Sequence, residues 1–236
     1  MPNRLPRGVR PEGARLALGV ATYRQKQLPR YHALFQTLAE SQNPHTLFIT
    51  CADSRIVPNL ITDSDPGELF IMRNVGNMVP AYSAREAPAS AAGVEYAVGV
   101  LNVTDVVVCG HSRCGAIGAL RQPSKVPAHL SSLRAWLDDP GARKVCESIT
   151  PHQHDDEVAR INALSQLENL RTYTIVREKE QRGEVRLSAW FFDIESGEIE
   201  AYNFERKRWE RLGQESAMLD SSPRIALPAA TEPSVA

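Results

Sequence analysis

The sequence predicts an α/β domain: a mainly parallel β-sheet flanked by helices, with an antiparallel edge strand and an N-terminal helical arm. Three observations predict it. Short apolar runs rich in β-formers, His45–Cys51, Leu69–Met72 and Asp105–Cys109, alternate with segments of helical periodicity, and such alternation implies right-handed crossovers between parallel strands. Two further β-rich runs, Val185–Ile194 and Ile199–Phe204, flank Glu195-Ser196-Gly197, a hairpin signal that finishes the sheet antiparallel. A length of 236 residues suits one sizeable domain with its own core and tails, and falls short of two.

The elements follow in order. Residues 1–12 read as a flexible lead and residues 13–212 as the domain. Between Ala14 and Glu40, Leu16, Leu18, Val20, Tyr23, Leu34, Phe35 and Leu38 recur at helical spacing interrupted by Pro29, which predicts two helices meeting there. Asn43-Pro44 punctuates the chain before a buried strand ending at Cys51, and the turn formers Asp65-Pro66-Gly67 precede the second strand. The Ala-rich stretch Pro88–Leu101 carries Val94, Val98 and Leu101 at helical spacing. Asp105–Cys109 is the strongest strand, and Gly110 is read as a sharp exit into a loop bearing His111. Helices are expected from Gly115, over His129–Leu137 and over Asp155–Leu170. Residues 213–236 turn to Ser, Pro and Ala with little aromatic content, a composition that buries too little surface to repay ordering, so this tail reads as disordered.

Composition narrows the function. A formal net charge of -1 with 23% charged residues gives neither a nucleic-acid footprint nor an acidic solvating chain, and a small or neutral partner fits better. No apolar stretch approaches the roughly 18 residues of a membrane span. The N-terminus is Arg-rich and nearly free of acids but lacks the apolar core of a secretory signal. Four cysteines are too few for a disulfide scaffold. The expected compartment is reducing cytoplasm.

The chemistry gathers at two strand ends. In an open α/β sheet, ligands collect at the carboxyl ends of parallel strands, and Cys51 and His111-Ser112-Arg113-Cys114 both lie there. Two thiolates and one imidazole suit zinc, and three protein ligands leave a fourth position for water, the arrangement of a catalytic site. The same residues also read as small buried cysteines and a surface histidine. Cys51-Ala-Asp53-Ser-Arg55 adds a carboxylate and a guanidinium two residues apart, able to pair and keep Asp53 ionised, or to make a turn with a surface ion pair. Cys109 and Cys146 read as structural. A nucleophile elbow at Gly110-His111-Ser112 fails because Cys114 stands where glycine is required. A nucleobase deaminase fails because its H-x-E and P-C-x-x-C signatures are absent.

Cys51-x-Asp53-x-Arg55, then Pro66-Gly-Glu-Leu-Phe-x-x-Arg-Asn-Val-Gly-Asn77, then His111-x-x-Cys114-Gly115 together resemble the β-class carbonic anhydrases, bacterial and cyanobacterial members in particular, from about Arg30 to Phe204. The resemblance implies reversible hydration of carbon dioxide to bicarbonate by a zinc-bound hydroxide. It puts Zn2+ on Cys51, His111 and Cys114, an orienting dyad on Asp53 and Arg55, and a substrate pocket on Gln42, Phe70 and Tyr96, contributed across a dimer interface. It implies a homo-oligomer, a dimer or a multiple of dimers, with helical arms wrapping the partner. One subgroup has a regulatory bicarbonate pocket of tryptophan, arginine and tyrosine where this chain has Phe48, Arg73 and Phe192. The implied subgroup is therefore the one with an open zinc position, active below neutral pH without a cooperative loss. Ala52 replaces the usual serine, and Arg113 is more charged than is common at its place. Carbon disulfide or carbonyl sulfide hydrolysis on the same ligands is the closer rival. A catalytically silent scaffold is a third reading, against which the intact dyad speaks. No nucleic acid or membrane partner is expected, and the tail after Gly213 is a candidate for recruiting a carboxysome partner.

Overall fold

The computed structural model describes residues 12–83, 89–138, 145, 150 and 153–213. Its centre is β1 (Thr46–Cys51), whose six residues are all buried, as expected of a strand covered on both faces. On one side β1 pairs in parallel with β2 (Leu69–Asn74), and on the other with β3 (Asp105–His111). Next to β3 lies β4 (Arg186–Phe192), again parallel, and then β5 (Ile199–Asn203) and β6 (Arg208–Arg211) are added antiparallel. The sheet order is β2-β1-β3-β4-β5-β6. The antiparallel edge is therefore present and one strand wider than expected.

Side chains alternate between the sheet's faces. Leu47, Ile49, Val106, Val108 and Ala189 join one core, completed by α4 (Ala89–Glu95) and by α7 (Asp155–Arg171). Phe48, Val107 and Cys109 join the other, under α5 (Gly115–Arg121) and α6 (Ser131–Leu137). A short α3 (Pro58–Ile61) follows the Asp53 loop, and α8 (Thr174–Gln181) follows α7. The helix expected over Pro88–Leu101 is described from Ala89, and its last turn, Tyr96–Val100, is π-helical, with the Leu101 N–H reaching the Tyr96 carbonyl at 3.0 Å.

The N-terminal arm is α1 (Glu12–Lys26) and α2 (Leu28–Leu38). The break falls at Gln27, and Pro29 sits in the first turn of α2, where a missing N–H costs no intrahelical bond. Leu16, Leu18, Val20 and Tyr23 are exposed on this arm. Residues 1–11 and 214–236, with the flexible lead and tail read into them, lie outside the described residues, as does Cys146. Among the described residues no helix is long and apolar enough to cross a membrane.

Gly110 corrects the sequence reading. It makes no exit turn: β3 runs through it, with Gly110 level with Phe191 and His111 level with Phe192, so His111 is the last strand residue. The reason for glycine is close packing, since a Cβ at 110 would lie 2.9 Å from the Ala159 carbonyl oxygen of α7, and backbone cannot swing aside as a side chain can. Gly110→Ala is expected to destabilise the fold by about 1–3 kcal/mol, read as a lower urea midpoint at unchanged slope.

Candidate metal centre

Cys51 ends β1 and His111 ends the neighbouring β3, one residue further along in a register that pairs Thr50 with Cys109, so strand pairing brings the first two donors to the same end of the sheet. Cys114 returns to them through a tight link, as the residue capping the start of α5. That return requires Arg113 at φ +54°, a left-handed conformation costly for a long side chain. Three contacts hold it. The Arg113 N–H donates to Asp156 Oδ1 at 2.8 Å, the Ser112 N–H donates to the Phe192 carbonyl at 3.0 Å, and Ser112 Oγ accepts from the Ile194 N–H at 2.9 Å. The ligand atoms of Cys51, His111 and Cys114 consequently lie within 4.8 Å of one another, and all three residues are buried.

The residues fit a zinc ion. His111 Nδ1 is 2.9 Å from the Ser112 carbonyl, which can only accept. Nδ1 therefore carries the proton, and Nε2 presents its lone pair. That Nε2 is buried with no hydrogen-bond partner among the described residues, an unfavourable state unless a cation accepts the lone pair. Hydrogen bonding from Cys114 pulls the Cys51 thiol well below its usual range, while the same bond and burial push Cys114 up. A soft divalent cation would favour the ionised form of both sulfurs, giving two thiolates and one imidazole, a donor set suited to zinc.

Beside this cluster, Arg55 grips Asp53 with both ends of its fork. Nε donates to Oδ1 at 2.9 Å and an Nη to Oδ2 at 2.8 Å, and the Arg55 backbone N–H adds a third bond to Oδ1 at 3.0 Å. The same guanidinium reaches the Arg113 carbonyl at 3.2 Å. Arg73 secures the loop from below, donating to the Cys51 carbonyl at 3.1 Å and to the Asp53 carbonyl at 2.6 Å. Asp53 Oδ2 thus stands 4.0 Å from His111 Nε2. Hydrogen bonds from the Arg55 side chain hold the Asp53 carboxyl far below the usual carboxylate range.

A depressed folded-state pKa stabilises above the unfolded value and loses that contribution as pH falls through the folded one. The stability difference between the wild type and Asp53→Asn is therefore expected to be flat from about pH 6 to 8 and to shrink only below about pH 4, as read by urea denaturation at each pH.

The remaining expected residues lie elsewhere in the protomer. Gln42 is exposed in the loop before β1. Phe70 is level with Leu47, whereas Cys51 is level with Asn74, which puts Phe70 about 13 Å back along the sheet from the thiol. Tyr96 opens the π-helical turn, and its ring lies 5.8 Å from that of Phe70. One protomer brings Cys51, Asp53, Arg55, His111 and Cys114 together, and pairs Phe70 with Tyr96 apart from them. Phe48 packs edge-on against Trp190 at 5.9 Å, and the exposed Arg113 guanidinium pairs with Glu195. Cys109 is fully buried on the sheet, its thiol pushed up to about 12 by burial. Sequence reasoning missed the Gly76 N–H, which donates to Cys51 Sγ at 3.4 Å, because a backbone donor leaves no mark on residue type.

Comparison with known proteins agrees with this geometry. A family model described as carbonic anhydrase matches residues 46–199, from the first residue of β1 to the first of β5. A carbonic anhydrase of Pseudomonas aeruginosa is 42% identical over 202 residues, covering 83% of this chain and 90% of the relative. One from Synechococcus elongatus is 40% identical over 190 residues, covering 78% of this chain and 70% of the relative. Among solved structures, the β-carbonic anhydrase CcaA superposes with a TM-score of 0.78 at 35% identity, covering 84% of this chain and 91% of that one. A chain from the crystal structures of two tetrameric β-carbonic anhydrases of Sordaria macrospora matches with a TM-score of 0.60 at 25% identity, covering 85% of this chain and 94% of that one. The chain belongs to the β-class carbonic anhydrase family.

Proposed function

We propose that this enzyme interconverts carbon dioxide and bicarbonate with a zinc ion held by Cys51, His111 and Cys114. The observation that carries the reading is the buried His111 Nε2, partnerless among the described residues and gathered with two thiols. Zinc so held supplies Lewis acidity, bringing the ionisation of a coordinated water to about pH 7.

The protein's part begins with Asp53. Kept ionised by Arg55, its oxygens can only accept, so Asp53 takes a hydrogen bond from the attacking water and turns the water's lone pair toward the substrate carbon. Arg55 holds the carboxylate in one orientation, and its contact with the Arg113 carbonyl ties that orientation to the loop carrying His111 and Cys114. Carbon dioxide is small and apolar and needs a dry pocket with one amide donor for the oxygen that gains charge. Gln42, Phe70 and Tyr96 have that chemistry, and we assign them to the site of a second copy. Two facts support the assignment: Phe70 and Tyr96 are remote from their own thiol cluster, and the apolar residues of α1 are uncovered in one protomer. Mixing Asp53→Ala with Phe70→Ala subunits should then restore activity that neither variant has alone.

Stopped-flow carbon dioxide hydration on purified protein, with metal analysis, Asp53→Ala as a control and carbon disulfide and carbonyl sulfide as competing substrates, tests the reading. The expected outcome is about one zinc per chain, turnover of carbon dioxide and a steep loss in Asp53→Ala. Zinc without hydration, or faster turnover of the sulfur substrates, would overturn it. The open zinc position implies retained activity below neutral pH, and a steep cooperative fall there would argue against that part. Cys51, Cys109 and Cys114 are free thiols, which supports a reducing cytoplasmic setting. Recruitment of a partner through residues 214–236 is a separate proposal, tested by truncation after Gly213.

A further inference from the structure

Helix α7 carries Asn162, Gln166 and Asn169 at a spacing that stacks them on one face, and all three are buried. They form a closed ladder of amides. Asn162 Nδ2 donates to the Gly76 carbonyl at 2.9 Å, and Gln166 Nε2 donates to Asn162 Oδ1 at 2.9 Å. Gln166 Oε1 accepts from the Val79 N–H at 2.8 Å and from Asn169 Nδ2 at 3.2 Å, and Asn169 Nδ2 also donates to the Val79 carbonyl at 2.9 Å. Their target is the loop after β2, where Gly76 and Asn77 are both left-handed, at φ +84° and +49°. Asn74 braces its other side, donating to the Met78 carbonyl at 2.7 Å and accepting from the Met78 N–H at 2.8 Å. Burying three amides where aliphatic side chains would pack has a cost, and the loop they restrain carries the Gly76 N–H to within 3.4 Å of Cys51 Sγ.

We propose that Asn162, backed by Gln166 and Asn169, is a positioning residue for the metal centre, aiming the Gly76 N–H at the Cys51 sulfur through the Gly76 carbonyl. The inference rests on the zinc reading above. An N–H aimed at a thiolate withdraws electron density from it and fixes its direction. Without it the sulfur is a stronger donor but a worse-placed one. Partners of this kind, one step removed from the ligands, change metal affinity by about 10- to 100-fold when lost. Gly76 itself is a poor test, because a Cβ there would meet Ala116 and Met78, each at 3.0 Å.

The experiment compares the wild type with Asn162→Ala and the milder Asn162→Ser, whose hydroxyl is too short to reach the Gly76 carbonyl. Val176→Ala, a buried core change in α8 that removes none of the amide-ladder hydrogen bonds, controls for lost stability. Zinc release to excess chelator is expected to be about 10-fold faster in both Asn162 variants. In the cobalt(II)-substituted protein, the sulfur-to-cobalt charge-transfer band should move to longer wavelength, while Val176→Ala changes neither readout. Asn162 variants that are merely less stable, with unchanged release and spectrum, would overturn the proposal. If neither Asn162 variant folds, the wild type loaded with cadmium-113 decides: coupling between the metal and the Gly76 amide proton supports it, and no coupling rejects it. Failure of the wild type to bind metal at all would sink the zinc reading instead, a distinguishable result.

Discussion

Cys51→Ser is expected to yield a folded protein holding less than about a tenth of the wild-type zinc and hydrating carbon dioxide at least about 1000-fold more slowly. Serine keeps the size of cysteine, so β1 should still pair with β2 and β3. Its hydroxyl remains protonated where the thiol is readily ionised, which leaves one imidazole and one sulfur, too few to retain the ion. Metal analysis and stopped-flow assay on the same preparation check it, with Cys109→Ser as the contrast. Cys109 lies on the same sheet, but its thiol donates to the Gly110 carbonyl at 3.4 Å and is pushed up to about 12, so that variant should lose stability while keeping metal and rate. Full activity in Cys51→Ser would remove the thiol from the site.

Asp53→Asn is the second large effect, and it separates orientation from metal retention. The amide is nearly isosteric, but it cannot accept both Arg55 bonds at once, and its NH2 would direct a donor at the attacking water. Zinc content should stay near the wild-type value while kcat falls by about 100- to 1000-fold, the usual worth of a positioned acid or base. Arg55→Ala should also be slow with its metal retained, because Asp53, 4.0 Å from His111 Nε2, then loses the fork that fixes where its oxygens point. An Asp53→Asn enzyme with wild-type kcat would assign the dyad to loop structure alone.

Much of this architecture could be read from residue order. β1 and β3 announce themselves through unbroken β-formers, and because their carboxyl ends carry Cys51 and His111, the meeting of these residues follows from parallel pairing. What escaped has physical reasons. Helix α8 spans eight residues with Val176 its one buried residue, too short a segment for its apolar side to register as a repeating pattern. Strand β6 has four residues with charged ends, Arg208 and Arg211, too short for an alternating pattern. Gly110 looked like punctuation because a glycine after a strand usually turns the chain, whereas here it answers the proximity of Ala159, a fact of packing invisible locally. The roles of Asn162, Gln166 and Asn169 were hidden for a related reason: polar residues on a helix are normally assigned to solvent, and only the fold shows that this face is turned inward.

The two interior strands that deliver Cys51 and His111 have neighbours on both sides, with β2 at one margin of the sheet and β5 and β6 at the other. Backbone opening under mild denaturant starts where pairing is one-sided, so the β5–β6 margin should exchange its amide protons early while the ion stays in place. Demetallation then belongs to the late, global event, and a metal-sensitive dye added during unfolding would report collapse of the innermost ribbon instead of fraying at its border.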